Sequence, residues 1–147
     1  MKIFNDKARF NYEISEKFEA GIVLTGPEVK SVRLGQADMG NAHVKIQGTG
    51  HQGQHEAWLI NLHIYPYKHA DNTKYDPART RKLLLNQKEI IVLMTKMKQS
   101  RLLLIPTSMY THSGVIKVEL GLARGKKKYE KREDIKKRDE ERDAERR

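Results

Sequence analysis

Cysteine is absent from this 147-residue chain, which excludes both a disulfide framework and a thiolate metal site. Long apolar runs are absent too. Nothing approaches the roughly 18 consecutive apolar residues of a membrane span, and no strongly amphipathic basic helix appears. The first ten residues, MKIFNDKARF, lack the continuous apolar region of a secretory signal, so the expected compartment is the cytoplasm. No internal repeat precedes the C-terminal region. Patterns of familiar chemistry are missing as well: there is no HExxH, GxSxG elbow, P-loop or GxGxxG. Six histidines (His43, His51, His55, His63, His69, His112) invite a metal or hydrolase reading, but no paired carboxylate or acid-plus-metal pattern accompanies them. The expectation is a non-enzyme without cofactor or metal. A metal-dependent RNA-processing enzyme built on these histidines is the alternative from another class.

What the chain has in excess is positive charge. Lysine and arginine total 29 against 19 acids, a formal charge of +10 and a pI near 9.8. The surplus is not confined to one end, since residues 1–120 hold 17 basic and 11 acidic side chains. A basic body with a basic tail points to a large anionic partner, RNA or DNA before an anionic membrane.

Along the chain, Met1–Phe10 reads as a short arm with Asn5-Asp6 as a turn or cap. Asn11–Leu24 is strand-like, with Gly21 a bulge or bend. Thr25-Gly26-Pro27 then starts a helix over Pro27–Leu34: a threonine cap, proline in the first turn, and Glu28 where the dipole favours an acid. That helix is expected to bury Val29, Val32 and Leu34, and Gly35 stops it. Ala42–Gln47 and Ala57–Ile64 read as a hairpin joined by the glycine-rich loop Gly48–His55, and Tyr65–Arg81 as irregular. Asn86 and Glu89 form a capping-box-like start to a helix over Gln87–Lys98 with an apolar stripe. Leu102–Ile105 and Met109–Tyr110 read as a strand with an edge or bulge at Pro106, and Val115–Leu122 as the last strand. Strands joined by turns favour an antiparallel sheet or small closed barrel.

After Leu122 apolar periodicity stops. Arg124–Arg132 contains six basic residues, one acid (Glu130) and one aromatic (Tyr129). Such a segment has too little apolar surface to offset the entropy of ordering it within a core. It is either a solvated basic tail or a polyanion-binding segment whose cations replace condensed counterions while Tyr129 stacks on a base. Glu133–Arg147 is nearly all charge. Its pairs Glu133/Lys137 and Asp134/Arg138 support a helix, but only Ile135 and Ala144 are apolar, so the helix is expected to be marginal alone.

Three runs carry a family resemblance: FEAGIVLTGPEVKSVRLGQAD (Phe18–Asp38), Asp76-Pro-x-Arg-x-Arg-Lys-Leu-Leu-Leu ending at Leu85, and GLARGKKKYEKREDIKKR (Gly121–Arg138). In this order, over about Asn5–Arg138, the chain resembles the SsrA-binding protein (SmpB) family. The resemblance implies a mainly β (α+β) fold: a small antiparallel OB-like barrel with two or three flanking helices and a charged C-terminal tail. Residues 1–123 would form the barrel, and 124–147 a tail disordered when free and helical on the ribosome. It implies a monomeric RNA-binding adaptor of ribosome rescue (trans-translation) that binds the tRNA-like domain of transfer-messenger RNA. The tail would enter the empty message channel beside the decoding centre, against small-subunit RNA. A general single-strand RNA-binding barrel is the remaining alternative. Asn5, Glu19 and Leu84 match the family's RNA-binding letters, with Lys7, Arg9, Lys30 and Arg33 in the same motifs. Gly125, Lys126, Lys127, Lys131, Arg132, Asp134, Ile135 and Lys136 match the ribosome-contacting stretch. Tyr129 and Glu130 depart from the commoner histidine and aspartate, and stacking is the role the resemblance leaves to Tyr129.

Overall fold

The alternation of apolar and polar residues from Tyr12 to Ile22 and from Val115 to Gly125 produces the two longest strands, β2 and β9, which pair antiparallel. In this computed structural model residues 1–126 and 128–146 are described; of Lys128, Tyr129 and Arg146 only the backbone is. Seven strands form one antiparallel sheet in the order β1 (Lys2–Phe4), β8 (Leu103–His112), β9, β2, β7 (Arg81–Leu84), β5 (His55–Ile60), β4 (His43–Gly48). A small second sheet pairs β3 (Ala37–Asp38) with β6 (His63–Ile64). The fold is mainly β within an α+β class, as expected. The sheet curls until β4 lies alongside β8, but no ladder joins them, so the barrel shape is completed by packing rather than by hydrogen bonds.

Alternate positions of the strands face one apolar core, including Leu59, Leu83, Leu104, Met109, Val118 and Leu120. Helix α2 (Gly26–Arg33) adds Val32, and α3 (Gln87–Ser100) adds Leu93. Both helices begin with full capping boxes, at Thr25/Glu28 and Asn86/Glu89. Gly121 sits where β2 shifts register: a Cβ there would meet the Ile14 methyl at 2.7 Å, so only glycine lets the strands approach.

Several elements differ from the sequence reading. The N-terminal arm contains β1 and a six-residue helix, α1 (Asp6–Asn11), too short to show periodicity. Leu34 is exposed, because it caps α2 beyond its buried face. The second hairpin strand stops at Ile60, where Asn61 takes a positive φ of 62°, and His63–Ile64 joins the other sheet. The irregular stretch ends at Thr80, since β7 starts at Arg81. The bulge at Pro106 is present as a register shift between Pro106 and Ser108. Strand β9 continues to Gly125, two residues beyond the composition boundary at Ala123, and helix α4 runs over Lys128–Arg146.

Candidate nucleic-acid interface

The outer face of the large sheet carries one unbroken row across five strands. Register places Lys2 opposite Tyr110, Tyr110 opposite Lys117, Lys117 opposite Gly21, and Gly21 opposite Leu84. Leu83 turns inward and is 2% exposed, whereas Leu84 turns outward and is 55% exposed. Gly21 allows this: its missing side chain leaves a place only 3.1 Å from the Leu84 Cβ. A leucine held out of the core at the end of a row with two lysines and a tyrosine is a surface for stacked or sugar-like apolar groups of an anionic polymer.

The adjoining row holds Phe4, Glu119 and Glu19. Phe4 is exposed, with the Lys2 ammonium 5.1 Å and the Arg9 guanidinium 5.3 Å from its ring centre. Glu19 and Glu119 face each other in register, and each like charge has its own compensation. Glu19 accepts a hydrogen bond from the Tyr110 hydroxyl and lies 3.7 Å from His112 Nδ1. The Tyr110 bond is the main cause holding the Glu19 carboxyl below its usual range. Burial and that carboxylate push the Tyr110 hydroxyl up to about 12, so it stays a donor at neutral pH. Glu119 accepts from Thr107 Oγ1 at 2.8 Å and pairs with Lys17 at 3.5 Å. Neither acid is a loose anion facing a phosphate.

The sequence-predicted residues do not all share this face. Arg9, Glu19 and Leu84 do, and Arg33 reaches the β8–β9 turn by donating to the Gly114 carbonyl at 3.2 Å. Lys7 points instead to Asn41 Oδ1, 2.7 Å away, at the cleft between α1 and β4. Lys30 lies over the Tyr67 ring on another side. Asn5 is 4% exposed. Its amide donates to the Met39 and Pro106 carbonyls, at 3.1 and 2.7 Å, and its oxygen accepts from the Ala8 amide. This asparagine caps α1 and pins it to β8, with its side chain turned into the protein.

The tail leaves the sheet beside α1. Gly125 pairs with Tyr12 at the end of β9, and the Lys126 amide donates to the Asn11 carbonyl at 2.9 Å. Lys126 Nζ donates to the Arg9 carbonyl and pairs with Asp134. The Phe10 ring lies under Lys131 and Arg138, 6.0 and 5.6 Å from its centre. Arg124 bridges Glu13 and Glu130. Arg132, Ile135 and Lys136 stand exposed, while Lys127 and the Tyr129 side chain lie outside the described residues. The packing of Lys131 and Arg138 over Phe10 escaped the sequence reading, because a single aromatic in a short helix carries no pattern.

Behind α2 lies a buried ionic cluster that was also missed. Glu28 and Arg81 are 1% and 0% exposed. Glu28 accepts from the Thr25 amide at 2.9 Å, from Arg79 at 2.5 Å and from Arg81 Nε at 2.9 Å. Arg81 also donates to the Leu62 and Pro77 carbonyls, at 2.5 and 3.1 Å, and to the Tyr75 hydroxyl at 3.2 Å. Burial opposes ionisation of Glu28, yet the Thr25 amide and the two guanidiniums outweigh it and hold the carboxyl at about 2. Only the helix-dipole placement of Glu28 was readable in advance.

Among the described residues no group of three or more histidines and acids is arranged to hold a metal. No described helix is long and apolar enough to cross a membrane. The described geometry is that of a binding module: an open basic and aromatic sheet face, joined to a charged helix, with polyanion recognition as its chemistry.

Comparison with known proteins gives that class a family. Residues 2–147 match the family described as SmpB protein. An SsrA-binding protein of Leuconostoc mesenteroides is 50% identical over 143 residues, spanning 97% of this chain and 89% of its own. One from Dehalococcoides mccartyi is 49% identical over 142 residues, spanning 97% and 79%, and one from Desulfitobacterium hafniense is 46% identical, spanning 97% and 87%. A solved structure described as "tmRNA-SmpB: a journey to the center of the bacterial ribosome" shares 43% identity and a TM-score of 0.68, over 86% of this chain and 85% of the other. The chain belongs to the SmpB family.

Proposed function

We propose that this protein is an RNA-binding adaptor of trans-translation. It binds the tRNA-like domain of transfer-messenger RNA, delivers it to stalled bacterial ribosomes, and acts in the cytoplasm by binding and mimicry, without catalysis. The observation that carries the reading is the row Lys2–Tyr110–Lys117–Gly21–Leu84, in a chain whose relatives over nearly its full length are SsrA-binding proteins. A rigid row of alternating cationic and aromatic or apolar groups suits the backbone and an unstacked base or sugar of a folded RNA, whose shape is the main recognition signal. Arg9 and Arg33 at the margins supply phosphate contacts. Glu19 orients Tyr110.

The tail reads as a separate ribosome probe. Gly125 and Lys126 form its root, and Lys127, Lys131, Arg132 and Lys136 its phosphate-seeking cations. Tyr129 is the stacking residue, and Asp134 and Ile135 set its folding. With two apolar residues after Arg132, the free helix is marginal and gains order on the RNA of the message channel.

The test compares binding of the tRNA-like domain with binding of an unstructured RNA of equal length. A clear preference for the folded RNA is expected. Lys117→Glu should weaken binding and reduce the slope of log affinity against log salt by about one or two contacts' worth. Equal affinity for both RNAs would favour the general single-strand binder.

A further inference from the structure

Away from the sheet face, the segment from β6 onward carries aromatic rings at every second position: His63, Tyr65, Tyr67 and His69. They form two edge-to-face pairs. His63 and Tyr65 have ring centres 4.6 Å apart at 67°, and Tyr67 and His69 are 5.4 Å apart at 70°. An edge-on neighbour covers at most one face of a ring, and Tyr65 is 47% exposed. Lys30, on α2, holds its ammonium 5.4 Å from the Tyr67 ring centre.

This stretch has almost no regular structure, yet its backbone is tied down. The Tyr65 amide donates to the Gln36 carbonyl at 3.1 Å, and the Ile64 amide to the Pro77 carbonyl at 3.0 Å. The Ile64 carbonyl accepts from the Tyr75 hydroxyl at 2.8 Å, and that hydroxyl belongs to the buried Glu28–Arg81 cluster. The Tyr67 carbonyl accepts from Asn72 Nδ2 at 2.9 Å. A buried ion pair is no cheap source of stability. Here it fixes the base of a loop whose exposed side chains are aromatic, which is the pre-organisation a binding surface needs.

Charge favours one occupant. Lys30, Lys68 and Lys74 are exposed, Lys30 over the Tyr67 ring, whereas the two acids of the loop are engaged in their own turns. Asp71 accepts from the Thr73 amide and hydroxyl, and Asp76 from the Ala78 amide. Rings on a loop whose backbone is tied down, with a lysine ammonium over one of them, suit a nucleic-acid strand whose bases are free to stack.

We infer that His63–His69 with Lys30 forms a second RNA-binding strip, which takes an unstructured single-stranded stretch by stacking bases on Tyr65 and Tyr67. The inference rests on the RNA-binding reading of the protein but concerns a different surface from the sheet face. Its test uses the full-length protein and two probes, a fluorescent ten-nucleotide oligouridylate and the folded tRNA-like RNA. Tyr65→Ser with Tyr67→Ser should weaken oligouridylate binding at least tenfold and change folded-RNA binding less than twofold. Tyr65→Phe with Tyr67→Phe should keep both. Tyr65→Ser alone, at an exposed ring, should lose at least threefold for the oligouridylate with an unchanged melting temperature. Ring-current shifts of the His63 and His69 imidazole protons should accompany oligouridylate titration of the wild type. No oligouridylate binding by the wild type, equal binding by the serine variants, or parallel loss of both RNAs would overturn the strip. Loss of preference for the folded RNA, with the serine effect intact, would overturn the adaptor reading and leave the strip standing.

Discussion

Glu28 shows how much a single side chain can hold. It closes the capping box of α2, receives two arginines and touches Tyr75, all with no exposure to water. Replacing it by glutamine leaves Arg81 buried without its counter-charge, which costs about 3–5 kcal/mol. Denaturant unfolding of Glu28→Gln should show a loss of this size. The pH dependence follows from the depressed carboxyl, which contributes its stability fully above the ordinary value of 4.5 and loses it as pH falls toward about 2. Acid titration of the melting temperature should therefore drop across that window in the wild type and flatten in the variant. Asn5 makes the opposite lesson. Its letter matches an RNA-binding position, but the side chain is spent inside the protein. Asn5→Ala removes a helix cap and two buried hydrogen bonds, to the Met39 and Pro106 carbonyls, for about 2–4 kcal/mol together. Well below its melting temperature, the variant should keep the wild-type salt slope for RNA, because no phosphate contact is lost.

At the scale of elements, local signals read well and long-range ones did not. Thr25, Pro27 and Glu28 marked the start of α2, and Asn86 with Glu89 marked α3, because capping is chemistry within four residues. The bulge at Pro106 was legible for the same reason. Strand β7 was hidden: RKLL alternates only once or twice, and Arg81 points into the core because Glu28, fifty-three positions away, receives it. On the candidate site, Leu84 was singled out by the family resemblance and does turn outward, but the partner that makes room, Gly21, required the register. The tail helix rests on exposed contacts: Phe10 beneath two cations, Lys126 with Asp134, and Arg124 with Glu130. Phe10→Ala should lower amide-exchange protection in residues 130–146 about fivefold, given about 1 kcal/mol for exposed cation–ring contacts. Raising salt from 0.1 to 1 M, which shortens screening from about 10 to about 3 Å, should lower it further without unfolding the sheet.

For the whole molecule, a formal charge of +10 is spread over body and tail, and the proposed function assigns an RNA attachment to each. Composition alone announced the polyanion. Which surface does what could not be read from charge, since basic residues occur in the body as well as in the tail, and the fold scatters Lys7, Lys30 and Arg9 to different sides. The division of labour between sheet and tail is the central claim, and truncation tests it most directly. Ending the chain at Gly125 preserves the β2–β9 ladder and the whole outer row while removing α4. Affinity for transfer-messenger RNA across a salt series, followed by peptide tagging on stalled ribosomes, would be measured for this form and the full chain. The account predicts that truncation leaves RNA affinity within about threefold, a shift under ~1 kcal/mol, while tagging is lost. Retained tagging, or collapse of RNA binding in a truncated protein that melts normally, would contradict it.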